Sequence, residues 1–341
     1  MKYLVWMTGF FAASSVLAWG ALYVPPPIPI KIEHIEARTP AISDELPKET
    51  TLLFGGDLML SRGIGNIMQK RRDFVYPFYQ VKKLMEGADL AIVNLEGPIS
   101  SRGKNVGSIY SFRADPRAIE GLTFAGIDLV SLANNHSGDY GPDALSETLE
   151  LLRTAGVRAV GAGINMTEAQ APVFFEINGL KIAFLGATPL APTWLTRTTS
   201  TPAVAPLDEK AIIEQIVSAR TQGADIVGIL LHFGNEYATK HSLSQEQTTH
   251  RLIDAGATMV IGHHPHVVQE VEHYHGGVIA YSLGNFVFDQ NFSEDTHHGL
   301  LLKVTLRGKN IDTIQEIPVY FSKDYQPFLE KIATTTSSIV I

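Results

Sequence analysis

Five times along this chain a short apolar run stops at a residue able to bind a metal ion. TLLFGGD ends in Asp57, ADLAIVN leads to Glu96, IDLVSLA to Asn135 and His136, IVGILL to His232, and Thr258–Ile261 to His264 and His266. Between the runs lie segments of helical period at 116–125, 141–155, 209–222 and 245–255. Strand, polar tip, helix, strand is the signature of βαβ units, whose sheet gathers its tips along one edge. Asp57 alone equally suits the N-cap of a helix starting near Ser61. Five such ends are much harder to explain as five independent caps.

The densest tip is GHHPHVVQ, with His263, His264 and His266 around Pro265. Proline cannot continue a ladder, so the strand ends there, and a turn would let His264 and His266 share one cavity. Imidazole, carboxylate and amide oxygen without sulfur suit Zn, Mn or Fe, and such a set can hold two ions about 3.5–4 Å apart. A paired site of that kind is a device for attacking a phosphate ester. The chain has no cysteine, which excludes thiolate sites, a thiol nucleophile, disulfides and a lipidated cysteine.

Composition is globular, with 45% hydrophobic and 18% charged residues in 341. The net charge of -8 leaves no basic excess for a phosphate backbone, so nucleic acid is not an expected partner. Residues 1–24 contain an uncharged apolar run that begins after Lys2, long enough to span a bilayer and longer than a signal-peptide core. We expect a membrane anchor there, with the domain outside the cytoplasm. Ala18 and Gly20 keep open a cleaved signal and a secreted product. Residues 25–50 read as a proline-rich linker, 51–321 as the folded domain and 322–341 as a peripheral tail. Within the domain, Asn178-Gly179 marks a hairpin, and the loop 188–206 is either a substrate lid or a solvated insertion. His298–Leu306 and Ile311–Val319 read as closing antiparallel strands.

The ordered motifs GDLML, NLEGP, ANNHSGDYG, HFGNEY, GHHPHVVQ and YSLGNFVFDQ run over roughly Thr51 to Ser322. Together they resemble the bacterial capsule-synthesis and poly-γ-glutamate biosynthesis family CapA, also called PgsA, which is related to the calcineurin-like metallophosphoesterases. The resemblance implies an α/β fold, a four-layer α/β/β/α sandwich with a metal site at the shared edge of its two sheets. It implies one or two divalent ions held by Asp57, Glu96 as the bridging carboxylate, Asn135, His232, His264 and His266, with His136 as proton donor to the leaving group. His263 falls at the variable position of the motif. One position departs: the phosphoesterases carry a histidine two residues after the first aspartate, and here it is Met59, a poor ligand, so that one metal loses a ligand unless Glu236 or another nearby group replaces it.

Around this set, Asp139 is expected to orient His136, and Asn285 to orient His264 or His266, with Asp289 beside it or in a turn. Arg62 and Arg113 could clamp an anionic substrate through two hydrogen bonds, or be ordinary surface ion pairs. The implied function is metal-dependent hydrolysis or transfer at a phosphoryl or acyl centre, in synthesis or export of a capsule or poly-γ-glutamate-type polymer. The implied partners are an anionic polymer or a phosphorylated or lipid-linked substrate, and other capsule-synthesis membrane proteins. Two alternatives remain open: a non-catalytic accessory subunit that binds a polyanion or scaffolds the synthase, and a general exported phosphodiesterase.

Overall fold

The computed structural model describes residues 48–197, 200–329 and 338–340. The expected membrane segment at 1–24 and nearly all of the linker lie outside them. Among the described residues no helix is long and apolar enough to cross a membrane.

The first half alternates strand and helix as its sequence periods require. Strand β1 (Glu49–Leu58) is followed by helices α1 (Arg62–Arg71) and α2 (Lys82–Met85), β2 (Leu90–Leu95), α3 (Ile119–Ala125), β3 (Leu129–Ser131), α4 (Pro142–Ala155) and β4 (Arg158–Val160). Pairs β1–β2, β2–β3 and β3–β4 are parallel. After β5 (Ala162–Gly163) and α5 (Met166–Gln170) comes the hairpin of β6 (Val173–Ile177) and β7 (Leu180–Ala187). Its turn residues Asn178 and Gly179 both have positive φ, 52° and 83°, as a tight hairpin demands. Short α6 (Thr193–Thr196) and β8 (Ala203–Val204) precede α7 (Glu209–Thr221), β9 (Ile226–His232), α8 (Leu243–Asp254), β10 (Met259–His263), β11 (Val271–Tyr274) and β12 (Gly277–Ala280). The chain then returns to the first sheet with β13 (Asn285–Val287), β14 (His298–Arg307), β15 (Asn310–Phe321), β16 (Pro327–Phe328) and β17 (Ser338–Val340).

The first sheet runs β16-β15-β14-β1-β2-β3-β4, with β13 also against β1 and β17 against β15; the second runs β11-β12-β10-β9-β7-β6. Alternation along each strand decides what meets what. Leu52, Phe54, Leu90 and Ile92 face inward to meet Phe184, Leu230, Met259 and Ile261 of the second sheet. Leu53, Ala91 and Val93 face outward onto helical residues such as Ile64, Leu122, Leu145, Leu149 and Leu152. On the far side, Leu185, Val227, Ile229 and Val260 meet Ile212, Ile216, Leu252 and Ile253 of α7 and α8. These are four layers, α/β/β/α. Each fully buried aliphatic or aromatic side chain in them contributes roughly 1.5–3 kcal/mol of transfer free energy.

Two readings are refined. The segment expected as a peripheral tail supplies edge strands β16 and β17 to the first sheet. The loop 188–206 is not a free insertion: β8 pairs with β5, and Leu195 is fully buried. Leu195 and Trp194 lie so close to Gly138 that a Cβ there would sit 2.4 Å from Leu195 Cδ1. This loop therefore packs beneath the turn that carries His136.

Candidate metal centre

All five tips converge at the carboxyl ends of their strands, where the two sheets share an edge. Asp57 lies inside β1, opposite Asn94 of β2 and Asn285 of β13. It is not a helix cap, since α1 takes Ser61 as its N-cap residue. The close approach of β13 depends on glycine. A Cβ on Gly56 would stand 2.0 Å from the Gly284 carbonyl oxygen, and one on Gly299 1.7 Å from that of Asn285.

From the second sheet, β9 delivers His232 beside His263 of β10, and the chain turns at Pro265. His264 and His266 take φ of 101° and 57° on either side of it. A non-glycine residue in that region costs on the order of 1–3 kcal/mol, and such residues cluster at functional sites. The turn aims both rings into the cleft. His266 Nδ1 lies 3.2 Å from Asp57 Oδ2 and 3.1 Å from Asn285 Oδ1, which leaves its Nε2 3.6 Å from Glu96 Oε1. Asn285 thus orients His266, one of the two histidines it was expected to serve. His232 Nε2 donates to Asn135 Oδ1 at 2.8 Å, and its ring centroid is 4.8 Å from that of His264.

His263 Nε2 lies 3.2 Å from the Gly55 carbonyl oxygen. His136 Nδ1 donates to Asp139 Oδ2 at 2.7 Å, and Phe112 stacks on the ring with centroids 4.0 Å apart. Its free Nε2 then faces Glu96 Oε1 at 3.8 Å. Asp139 is held in turn by the Phe112 backbone N–H at 2.8 Å.

Sequence reasoning passed over Asn94. Its Nδ2 donates to Asp57 Oδ1 at 2.8 Å and to Glu96 Oε2 at 3.3 Å, and lies 3.3 Å from His232 Nδ1. Its Oδ1 accepts from Asn134 Nδ2, whose own Oδ1 takes the His136 backbone N–H. One buried amide pair therefore ties together the strand ends that carry Asp57, Glu96, His136 and His232. An amide inside the apolar run ADLAIVN was the available signal, because a buried polar group must find partners.

Arg113 does not reach the site. Its guanidinium donates to the Arg102 and Gly103 carbonyl oxygens and stacks over Tyr140, because the loop around it folds back on itself. Arg62 does reach it, but already paired with Asp289 at 2.7 Å and lying over Phe112. Arg62, Tyr110, His136, Glu236, Tyr237 and Phe292 are among the residues that line a hollow of about 240 Å³ opening from the cleft. Met59 is fully buried, and its sulfur accepts from Ser61 N–H and Oγ.

The electrostatics fit a cation. Burial, then the charges of Asp57, Glu236 and Asp139, push the Glu96 carboxyl well above the usual range. Burial alone would raise Asp57 too, but the hydrogen bond and charge interaction with His266 more than offset it and hold Asp57 below its ordinary value. Burial lowers His232 and His264, the latter to about 4, so both rings are neutral as ligands must be. Glu96 Oε1 and His264 Nδ1 are buried with no hydrogen-bond partner, an arrangement that costs about 1–3 kcal/mol per group unless something binds there. Two sets, Asp57–Glu96–His266 and Glu236–His264–His266, each bring their ligand atoms within 4.8 Å of one another. Oxygen and imidazole donors with orphaned lone pairs fit a divalent ion.

The family model for the bacterial capsule synthesis protein PGA_cap matches residues 51–290. The chain belongs to that family. It is 30% identical to the capsule biosynthesis protein CapA of Bacillus anthracis, over 84% of this chain and 71% of the relative. It is also 30% identical to the PGA biosynthesis protein CapA of Bacillus subtilis, over 83% of this chain and 75% of that one. Among solved structures it resembles the NAD nucleotidase of Haemophilus influenzae at 12% identity and a TM-score of 0.50. That match covers 84% of this chain but spans only about half, 54%, of the nucleotidase, so it speaks for the fold alone. The four-layer α/β/β/α sandwich follows from the topology, and this likeness agrees with it.

Proposed function

We propose that this protein is an exported, membrane-tethered member of the capsule-synthesis family that carries out ion-dependent hydrolysis or transfer at a phosphoryl or related acyl centre while a poly-γ-glutamate-type polymer is made or exported. The observation that carries the chemistry is the His136–Asp139 pair, set at 2.7 Å beside Glu96 and His266 on the wall of the hollow. The role in polymer synthesis is supported by the family and by the names of the two Bacillus relatives.

Asp57, Glu96, Asn135, His232, His264 and His266 are the residues that would hold one or two ions of Mn, Zn or Fe. Such an ion would supply Lewis-acid polarisation of the substrate oxygen and neutralise charge that develops there. The chain's own groups do the rest. Asn94 and Asn134 fix the carboxylates and the His136 turn in one frame. Asp139 holds one proton on His136 Nδ1, so that in the doubly protonated ring the second proton, on Nε2, is the one that passes to the departing oxygen. Tyr110, Phe112 and Phe292 give the hollow an aromatic wall. Arg62 presents the guanidinium edge that Asp289 leaves free, toward an anionic group of the substrate.

The test is metal analysis of the purified full-length protein with hydrolysis assays on simple phosphate monoesters and diesters. Bound metal is expected, with activity that falls about 10²–10⁴-fold in His136→Ala while the ion content stays the same. A metal-free, inert protein would favour the second reading, an accessory subunit that binds a polyanion or scaffolds the synthase. The observation on that side is Met59, whose sulfur is engaged by Ser61 where the phosphoesterases place a ligand.

A further inference from the structure

We infer that Glu236 is a direct ligand of an ion on the open side of the cleft, together with His264 and His266, while Asp57, Glu96 and His266 serve the buried side. The inference rests on the reading that the cleft binds ions, and it changes the ligand set that the family pattern implies. The carboxylate of Glu236 and one ring nitrogen each of His264 and His266 lie within 4.8 Å of one another. His264 is 93% buried, and its Nδ1 meets no hydrogen-bond partner, so the histidine turn carries a buried donor atom with nothing else to bind.

The position of Glu236 is built into the backbone. The next residue, Tyr237, donates its N–H to the carbonyl oxygen of Pro265 at 2.8 Å, between the two histidines. Tyr237 holds φ at 64°, and its hydroxyl accepts from Gln290 Nε2 at 3.3 Å. On the other side, Gly234 at φ 98° passes so near Gln245 that a Cβ would stand 2.7 Å from its Nε2. A loop pinned at both ends and registered to the histidine turn fixes its carboxylate relative to them.

The same arrangement answers the vacancy that Met59 creates. β1 brings no second ligand after Asp57, because the Met59 side chain points to Ser61. The loop after β9 brings a carboxylate from the opposite sheet instead. The two sets differ in access: Asp57, Glu96 and His266 are all buried, whereas Glu236 is exposed. The ion beside Glu236 is therefore the one that exchanges readily with solution, and the buried one is the more tightly held.

The experiment uses the full-length protein, stripped with chelator and titrated with Mn²⁺ alone by calorimetry, with bound metal checked by elemental analysis. Wild type is expected to bind two ions with separate affinities. Glu236→Gln and Glu236→Ala are expected to weaken the looser one on the order of 100-fold, since even supporting groups around a metal command 10–100-fold. The tighter affinity and the thermal midpoint should stay where they were, because the residue is exposed. Unchanged affinities in both variants, with either one or two ions in wild type, overturn the inference alone. A wild-type protein that takes up no Mn²⁺ overturns the ion reading of the cleft itself and this assignment with it.

Discussion

Replacing Asp139 by asparagine separates proton donation from everything else the site does. The carboxylate is 2% exposed and accepts from His136 Nδ1 at 2.7 Å and from the Phe112 N–H at 2.8 Å. Both bonds fall on one oxygen, Oδ2, so an asparagine with its amide oxygen in that place keeps both, but the group facing His136 is then neutral. A charged ring therefore loses its counter-charge. A hydrogen bond to a charged group is worth about 1.5–3 kcal/mol, equivalent to roughly 10–150-fold in rate if it acts only in the transition state. Good leaving groups need little protonation. The variant should therefore lose on the order of 10–100-fold in kcat on an alkyl phosphate and less than about 3-fold on 4-nitrophenyl phosphate. Ion content should not change, because Asp139 is not a ligand. Equal losses on both substrates would refute the assignment of His136 as the acid and point to damage of the site as a whole.

Asn94→Ala strips partners from Asp57, Glu96 and Asn134 at once. With each buried group left unpaired costing about 1–3 kcal/mol, a loss on the order of 3–5 kcal/mol is expected, with reduced ion retention. Thermal melting with metal analysis reads both, and a wild-type midpoint would sink the bridging role. A pH series on chelator-treated protein tests the electrostatics. Burial lowers His232, His263 and His264, so below about pH 6.5 the unfolded chain takes up protons that the folded one refuses, and stability falls as pH drops toward 4. A histidine adds at most about 1.4 kcal/mol per pH unit between its unfolded and folded values, and Glu96, raised, runs the opposite way. With three histidines against one carboxyl, Tm should fall steadily from about pH 6.5 to about 5; a flat Tm would contradict the buried neutral histidines.

The strand ends were legible because two strong local rules met there, apolar runs of period two and breakers such as Pro265 and Gly55-Gly56. The ladder from β1 through β4 and the hairpin at Asn178 followed from the same rules. What escaped depended on contacts distant in sequence. Asp57 reads as a possible cap until β13, more than two hundred residues on, pairs with it. Asn94 looks like one more strand residue until Asn134 and Asp57 take both ends of its amide. Arg62 and Arg113 carry the same charge in similar loops, and only the fold decides that one faces Asp289 at the cleft and the other stacks on Tyr140.

The two sheets bring different chemistry to their common edge. The first supplies Asp57, Glu96 and the amides, the second His232, His264, His266 and the loop of Glu236. Each sheet's set is costly to bury alone: carboxylates without counter-charge on one side, imidazoles without partners on the other. The seam therefore takes up charge in a particular way. Burial and neighbouring carboxylates push Glu96 toward its protonated form, while burial disfavours charge on His232 and His264. Closure of the apolar interface between the sheets is what forces these groups together. Strain in the His264–His266 turn is sustained by the same closure, since Asp57 receives the backbone N–H of His264 at 3.2 Å across the seam. Fold and site are in this sense one arrangement: the core holds the sheets in register, and the register places ligands of both sheets around one point.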